Sequence, residues 1–522
     1  MQLSLLDIEP IKINALDCYE LLVANVAIWA GRRYEMYFST EWNLDYDLEN
    51  VDGLIGTRLH GGTVSNEHLE KYHGIKITTS ATASLTHLRD ALYNEHPLGA
   101  CVDARFIPWD EHFGDAEYEG EHCFLITGLN EAQGKLYCVD PYYNKNQLEF
   151  HIVSFMSACK EMYSFQFADS VDCKPDLNDF FHDVLQLHAN QKTISSIKNL
   201  IRDFTNMNSE DIKNEFYGFI DQDFHHAPLF ASMNTISRNR KKFSTSLAYI
   251  SLFMDQNKTN LTGLIKKFES MGSMWMIATK LAYKCYSNNE HFEGNKQLLI
   301  NKLLEVADLE EEAVAAMKHY LQVGVLNVHI HSAAASQPLE TIGNIIHLDL
   351  FKYFNNHGIG NWDDNTADLT GTGYYFLSDT FPDTPIIGSG KLTFISPKTS
   401  IQINDNISCL GQTLEIPYHY AKCISLLGCS EYGSFSERVV IHYENNESIE
   451  LILEFSEWNC QIPQFNDQIF WHSKIANRLL GPIDEAHFLF TNFLKVRSRR
   501  RIAAIQLPVC PNLHIFAASL IV

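Results

Sequence analysis

The stretch Glu121–Tyr143, EHCFLITGLNEAQGKLYCVDPYY, places the strongest constraint on how this chain can fold. Two short apolar runs, Cys123–Thr127 and Leu136–Val139, flank Gly128–Gly134, whose glycine, asparagine and glutamine suit a loop. That pattern predicts a β-hairpin. Positions equidistant from the loop face each other in an antiparallel pair. With the loop centred near Glu131–Ala132, His122 at the start of one strand falls beside Asp140 at the end of the other. Opposed side chains sit about 5 Å apart at Cβ. A carboxylate beside an imidazole fixes its tautomer and aims its ring, as a catalytic histidine requires. By itself such a pair is more often structural or incidental; a cysteine far upstream changes its meaning.

That cysteine is Cys18. Residues Asp17–Trp29, DCYELLVANVAIW, carry Leu21, Leu22, Ile28 and Trp29 at helical spacing, and Gly31 supplies a stop. Cys18 therefore falls in the first turn, with Asn14 or Asp17 as N-cap. The unpaired N–H groups and the positive end of the helix dipole favour a thiolate there. A cysteine heading a helix, followed by a histidine and an aspartate from a sheet, has the order of papain-like enzymes.

Between these elements, Tyr34–Phe38 and Ile75–Thr79 read as strands, and Glu67–Tyr72 and Ser84–Asn94 as helices. Leu98–Val102 leads into Asp103, which either lines the pocket or simply ends a strand.

Three segments carry a resemblance: Asp17-Cys18 with its helix through Gly31, GACVDARFIPW around Asp103, and HCFLITGLN with GKLYCVDPYY. Over roughly residues 10–165 the chain resembles the family named for the N-terminal domain of butirosin biosynthesis protein H. The resemblance implies a fold similar to papain-like cysteine proteases. It also implies an activity that moves an acyl group from a carrier-protein thioester to an amine. Cys18 would be the nucleophile, His122 the general base and acid, and Asp140 the orienting group. Papain-type enzymes place an oxyanion glutamine before the cysteine, and no clear counterpart stands here; Asn14 and the Cys18 backbone N–H are the nearest substitutes.

From about Pro175 to Gln322 apolar residues recur at three- and four-residue spacing in six segments, which predicts a helical subdomain. Ser237–Phe243, SRNRKKF, holds four basic residues in five positions. It reads either as a dock for an acidic carrier protein or as a solvated cluster at a helix end. His225-His226 reads as surface or packing. His329 and His331 share one face of a short strand, but no third ligand stands nearby, so no metal and no cofactor are expected.

Residues 345–522 run as many short strands separated by Gly, Asn, Asp and Pro, the pattern of a β-sandwich. The series FNNHGIGNWDD, GTGYYF, LGQTLEIP, LLGCSEYG, LEFSEW and LHIFAASLIV resembles the galactose-binding-like jelly-roll module appended to many bacterial glycosidases. The resemblance implies Trp362, Asp363 and Trp458 as sugar-contacting residues if the module binds, and as core or loop anchors if it does not. Lys495–Arg501, KVRSRRR, is the densest basic tract, an exposed loop or a second dock for a carrier.

The expected architecture is therefore α+β and multidomain: a papain-like unit over 1–170, a helical subdomain over 171–325, a linker over 326–344 and an antiparallel sandwich over 345–522. The formal net charge of −24, from 64 acidic and 40 basic side chains, argues against duplex nucleic acid or an anionic membrane as the main partner. No run of about 18 apolar residues exists, and MQLSLLDIEPIKIN lacks a basic segment followed by an apolar one. Twelve cysteines without CxxC pairs read as reduced thiols, so the cytosol is the expected compartment. The leading functional expectation is a cysteine acyltransferase of specialised metabolite assembly, with an acyl carrier protein as donor and a small amine as acceptor. A cysteine hydrolase using the same three residues, or a non-catalytic carbohydrate-binding scaffold, are the alternatives.

Overall fold

Capping decides where the first long helix begins. Asp17 accepts the Glu20 N–H at 2.9 Å, and the Glu20 carboxylate accepts the Asp17 N–H at 2.9 Å. This reciprocal box starts the helix Cys18–Trp29 at the cysteine itself, and Gly31 (φ 68°) ends it. The N-cap is thus Asp17, and Asn14 lies in the turn before it. The computed structural model describes residues 2–3, 6–50, 53–170, 173–190, 192–217, 226–254, 260–324, 343–364, 366–398, 403–497 and 500–522. His225, His329 and His331 lie outside the described residues.

The helix packs on a sheet whose strands run in the order Ile75–Ser80, Cys159–Phe167, Leu98–Asp103, Glu121–Asn130, Lys135–Asp140 and Lys145–His151, every neighbour antiparallel. Leu21, Leu22 and Val26 of the helix meet Cys101, Cys123 and Leu125 in one core, while Phe124, Ile126 and Cys138 fill the opposite face with Phe150 and Phe155. The alternation follows from the two-residue strand period. Glu35–Phe38 is a 3-10 turn and not the expected strand: among the described residues no strand pairs with it, and Met36, Tyr37 and Phe38 are buried by side-chain packing instead.

The middle of the chain is helical as expected: Leu177–Asn190, Thr193–Asn206, Ser209–Phe216, Pro228–Ser251, Thr262–Ser287 and Phe292–Val323. The SRNRKKF segment falls inside the 24-residue helix Pro228–Ser251 and is no exposed dock. Arg240 is fully buried, donating from Nε to Glu310 at 2.9 Å, and the Trp42 indole donates to the same carboxylate. Lys242, 5% exposed, bridges Glu20 at 2.5 Å and Glu41 at 2.8 Å. A run of like charge in sequence has become a set of internal ion pairs. No helix among the described residues is long and apolar enough to cross a membrane.

Residues from Ile345 onward form a β-sandwich. One sheet runs Ile345–Leu348, Val509–Ile521, Cys423–Ser430, Gly481–Lys495, Gln468–Asn477, Tyr374–Leu377 and Ile359–Gly360; the other runs Thr413–Tyr420, Arg501–Gln506, Phe435–Tyr443 and Ser448–Phe455. Its core is continuous with that of the helices: Trp275, Leu281 and Leu303 belong to the same buried cluster as Ile424, Val439 and Phe516. Lys280 seals the junction, paired with Glu431 at 2.5 Å and donating to the Thr370 carbonyl. Of the Lys495–Arg501 tract, Arg497 and Arg500 lean on Glu447 and Arg501 on Glu444. All twelve cysteines are free thiols.

The Arg240–Glu310 pair sets a stability test. Removing one partner of a buried pair strands the other charge, at a cost of about 3–5 kcal/mol. Glu310→Ala is expected to lower the urea midpoint accordingly, followed by circular dichroism. Glu311→Ala, on the exposed neighbouring pair with Lys198, is expected to leave it nearly unchanged.

Candidate active site

The strand Glu121–Asn130 and its partner Lys135–Asp140 bring His122 and Asp140 together, though not by direct opposition. A bulge at Ile126–Gly128 shifts the register so that Leu125 faces Val139. Asp140 therefore reaches His122 along the diagonal of the ladder, a contact long side chains span. His122 Nε2 lies 2.7 Å from Asp140 Oδ2. Asp140 is fully buried and also accepts the Trp109 indole N–H at 2.7 Å and the backbone N–H groups of Tyr142 and Tyr143 at 3.0 and 3.2 Å. Four donors on one carboxyl fix it in place.

With Nε2 committed to Asp140, the remaining ring nitrogen, Nδ1, is the one left to hydrogen-bond Cys18. Cys18 sits half-buried as the first helical residue, packed against the same core as Cys123 and Cys101. Its thiol is driven down from 9.0 to about 5. The largest cause is a hydrogen bond from the Cys123 thiol; burial opposes it, and the hydrogen bond and positive charge of His122 add to it. Burial pulls His122 down, but hydrogen bonds to Asp140 and Cys18 outweigh it and raise the imidazole from 6.5 to about 10. Between those values the pair exists as thiolate and imidazolium. The Cys123 thiol, hydrogen-bonded to Cys101 and Cys18 and buried, is pushed far up and stays a donor. Cys101 in turn donates to Glu121 at 3.2 Å.

Tyr142 and Tyr143 lie edge-on or tilted against the imidazole, with centroids 5.5 and 5.2 Å away, and the Trp109 ring packs on Phe124. The Lys12 ammonium stands 5.6 Å from the Tyr142 ring centre. The capping box uses the N–H groups of Asp17 and Glu20 and leaves that of Cys18 unclaimed among the described residues, a donor at the helix N-terminus beside the sulfur.

Cys18, His122 and Asp140 are thus assembled into one cluster, whereas two other residues singled out from the sequence are not part of it. Asn14 is exposed and makes no hydrogen bond among the described residues. Asp103 ends its strand paired with Arg105 at 2.6 Å, its carboxyl held down chiefly by that hydrogen bond. In the sandwich, Trp458 is an internal anchor, packed on Phe376 and His487, while Trp362 is 63% exposed with exposed Asp363 beside it. Trp109, Tyr142 and Cys123 lie in the three quoted segments, but their roles beside His122 and Asp140 appear only in the folded chain. No group of three or more potential metal ligands occurs among the described residues.

Residues 344–521 match the model of the AziU2-like beta-sandwich domain family. That match covers the C-terminal third and defines its class as a β-sandwich. The chain matches no curated protein.

The thiolate is directly measurable. Iodoacetamide labelling of Cys18 is expected to rise with half-maximal rate near pH 5, where an ordinary thiol waits until about 8.5. Because His122 and Cys123 both lower the value, His122→Ala and Cys123→Ala should each move the midpoint upward, read by mass-resolved labelling against pH. A midpoint unmoved in both variants overturns the assignment.

Proposed function

We propose that the protein is a cysteine-dependent acyltransferase that accepts an acyl group on Cys18 from a carrier-protein thioester and delivers it to a small-molecule amine in specialised metabolite assembly. The observation that carries this reading is the Cys18 thiolate at a capped helix N-terminus, matched to His122 and, through it, to Asp140. The N-terminal unit is read as papain-like, supported by the nucleophile helix packed on an antiparallel sheet that supplies the histidine and its partner. The C-terminal unit is read as a galactose-binding-like jelly roll that shapes the mouth or contacts a sugar-bearing acceptor.

The Cys18 thiolate attacks the thioester carbonyl, forming the C–S bond to the enzyme. The developing oxyanion faces the Cys18 N–H. His122 gives its Nδ1 proton to the departing thiol as the donor C–S bond breaks. The neutral imidazole then takes a proton from the incoming amine, whose nitrogen attacks the acyl-Cys18 carbonyl. Cys18 leaves as thiolate, and the proton on His122 restores the starting ion pair. Asp140 keeps the ring in the tautomer both steps use. The Tyr142 and Tyr143 rings cover the imidazole and favour transfer by limiting the approach of water.

Intact-protein mass spectrometry with acyl-N-acetylcysteamine and with an acyl carrier protein tests the proposal. A single acyl adduct is expected on the wild-type chain, absent in Cys18→Ala and discharged faster when an amine is added. An adduct that discharges at the same rate with and without amine moves the reading to a hydrolase using the same residues. No adduct with either donor overturns the enzyme reading and leaves a binding scaffold.

A further inference from the structure

The helix Pro228–Ser251 carries a cation that the fold does not use. Among its basic residues, Arg240 and Lys242 are spent in buried ion pairs. Arg238, half-buried, makes neither a hydrogen bond nor an ion pair among the described residues, and its Nε is shut from solvent without an acceptor. A buried donor left unpaired costs stability, and more when it is charged. Such a group persists where a ligand supplies the acceptor.

Helix geometry fixes where Arg238 points. Residues three and four apart share a face. Lys242, four positions on, grips Glu20 two residues beyond Cys18. Lys241, three positions on, faces the sandwich, where a Cβ built on Gly433 would stand 3.2 Å from its Nζ. Arg238 therefore lies on the side of its helix between these two contacts, one turn from the ion pair that holds the helix Cys18–Trp29. The Tyr142 hydroxyl feels the charges of both Arg238 and Cys18. The Lys12 ammonium stands over the same Tyr142 ring. The acidic groups nearby are Glu457, whose carboxyl feels Lys241 more than Lys12, and Asp110 and Glu111, which act on the Tyr142 and Tyr143 hydroxyls. Glu457 chiefly offsets Lys241; Asp110 is occupied with the His112 N–H at 2.9 Å. Arg238 is left for an external anion.

We propose that Arg238, with Lys12 at the Tyr142 ring, binds the phosphate of a phosphopantetheine-bearing acyl donor, so that the arm runs past Tyr142 and its thioester reaches Cys18. The inference rests on the acyl-transfer reading and names the donor feature it recognises. A guanidinium suits a phosphate because it offers paired donors to two oxygens at once. Coenzyme A and a carrier protein both bear this group, and comparing acyl-coenzyme A with the acyl carrier protein in the acylation assay separates the two sources.

The test titrates 4′-phosphopantetheine and pantetheine into full-length protein carrying Cys18→Ala, by isothermal calorimetry. The phosphorylated compound is expected to bind at least about tenfold more tightly, as one charge-assisted bidentate contact supplies. Adding Arg238→Gln should collapse that ratio toward one, and Arg238→Lys should keep part of it, with unchanged thermal melting showing that the fold survives. Equal binding of the two compounds, or a preference that survives Arg238→Gln, overturns the proposal. Acylation by acyl-N-acetylcysteamine, which has no phosphate, reports separately on acyl transfer, so failure of one is distinguishable from failure of the other.

Discussion

One buried ammonium holds the site together. Lys242 is shared between Glu20 and Glu41, and Glu20 uses its other oxygen to cap the helix that Cys18 heads. Burial alone would drive both carboxyls toward their neutral forms, and it does raise Glu41 to about 8; Lys242 opposes it in each case. The start of the helix that Cys18 heads is therefore fixed by a residue more than two hundred positions downstream, on an element of the helical subdomain. That subdomain is a wall of the candidate site. It cannot be removed without leaving two carboxylates buried and unpaired, a heavier cost than any surface contact repays.

Local chemistry made much of this legible. The helix at Cys18 has its cap, its apolar spacing and its stop within fifteen residues, and the hairpin has its loop in plain view, so Cys18, His122 and Asp140 were visible without a structure. The alignment of the hairpin was not, because a bulge at Ile126–Gly128 leaves no mark in composition. Tyr34–Phe38 looked like a strand since aromatic residues favour one, yet every side chain in Glu35–Phe38 is buried around a 3-10 turn. The basic run Ser237–Phe243 misled for a different reason. Charge density in sequence carries no information about burial, and the acids that neutralise Arg240 and Lys242 are Glu310, Glu20 and Glu41, all remote in the chain. In the sandwich, the two long strands Gln468–Asn477 and Gly481–Lys495 escaped notice because Trp471, His472, Lys474, Asp484 and Glu485 interrupt the apolar pattern.

The sandwich was legible as a class and not as a neighbour. Trp458 was a candidate ligand residue with a core anchor as its alternative, and packing against Phe376 and His487 makes it part of the interior. What the domain brings to the helical subdomain comes instead from a glycine and a glutamate. Gly433 lets the backbone approach Lys241, with a φ of 130° that a side chain would not tolerate. Glu457, two residues past the strand Ser448–Phe455, adds a carboxyl that feels the Lys241 charge. A continuous apolar core joins the sandwich to the helices, and the Lys280–Glu431 pair locks that junction. The C-terminal unit is thus held rigidly against the helical subdomain.

These contacts bear on how an acidic enzyme would receive an anionic donor. At −24 the chain as a whole repels acidic partners. That repulsion fades beyond a Debye length of about 8 Å at physiological salt, whereas a half-buried guanidinium acts at contact, in surroundings that screen it far less. Long-range charge would then slow every anion alike, and only a ligand whose phosphate reaches Arg238 would recover the loss. Under the proposed reaction the negative surface and Arg238 work together: the first discourages unspecific acidic proteins, and the second rewards a donor whose anionic group hangs on a thin arm.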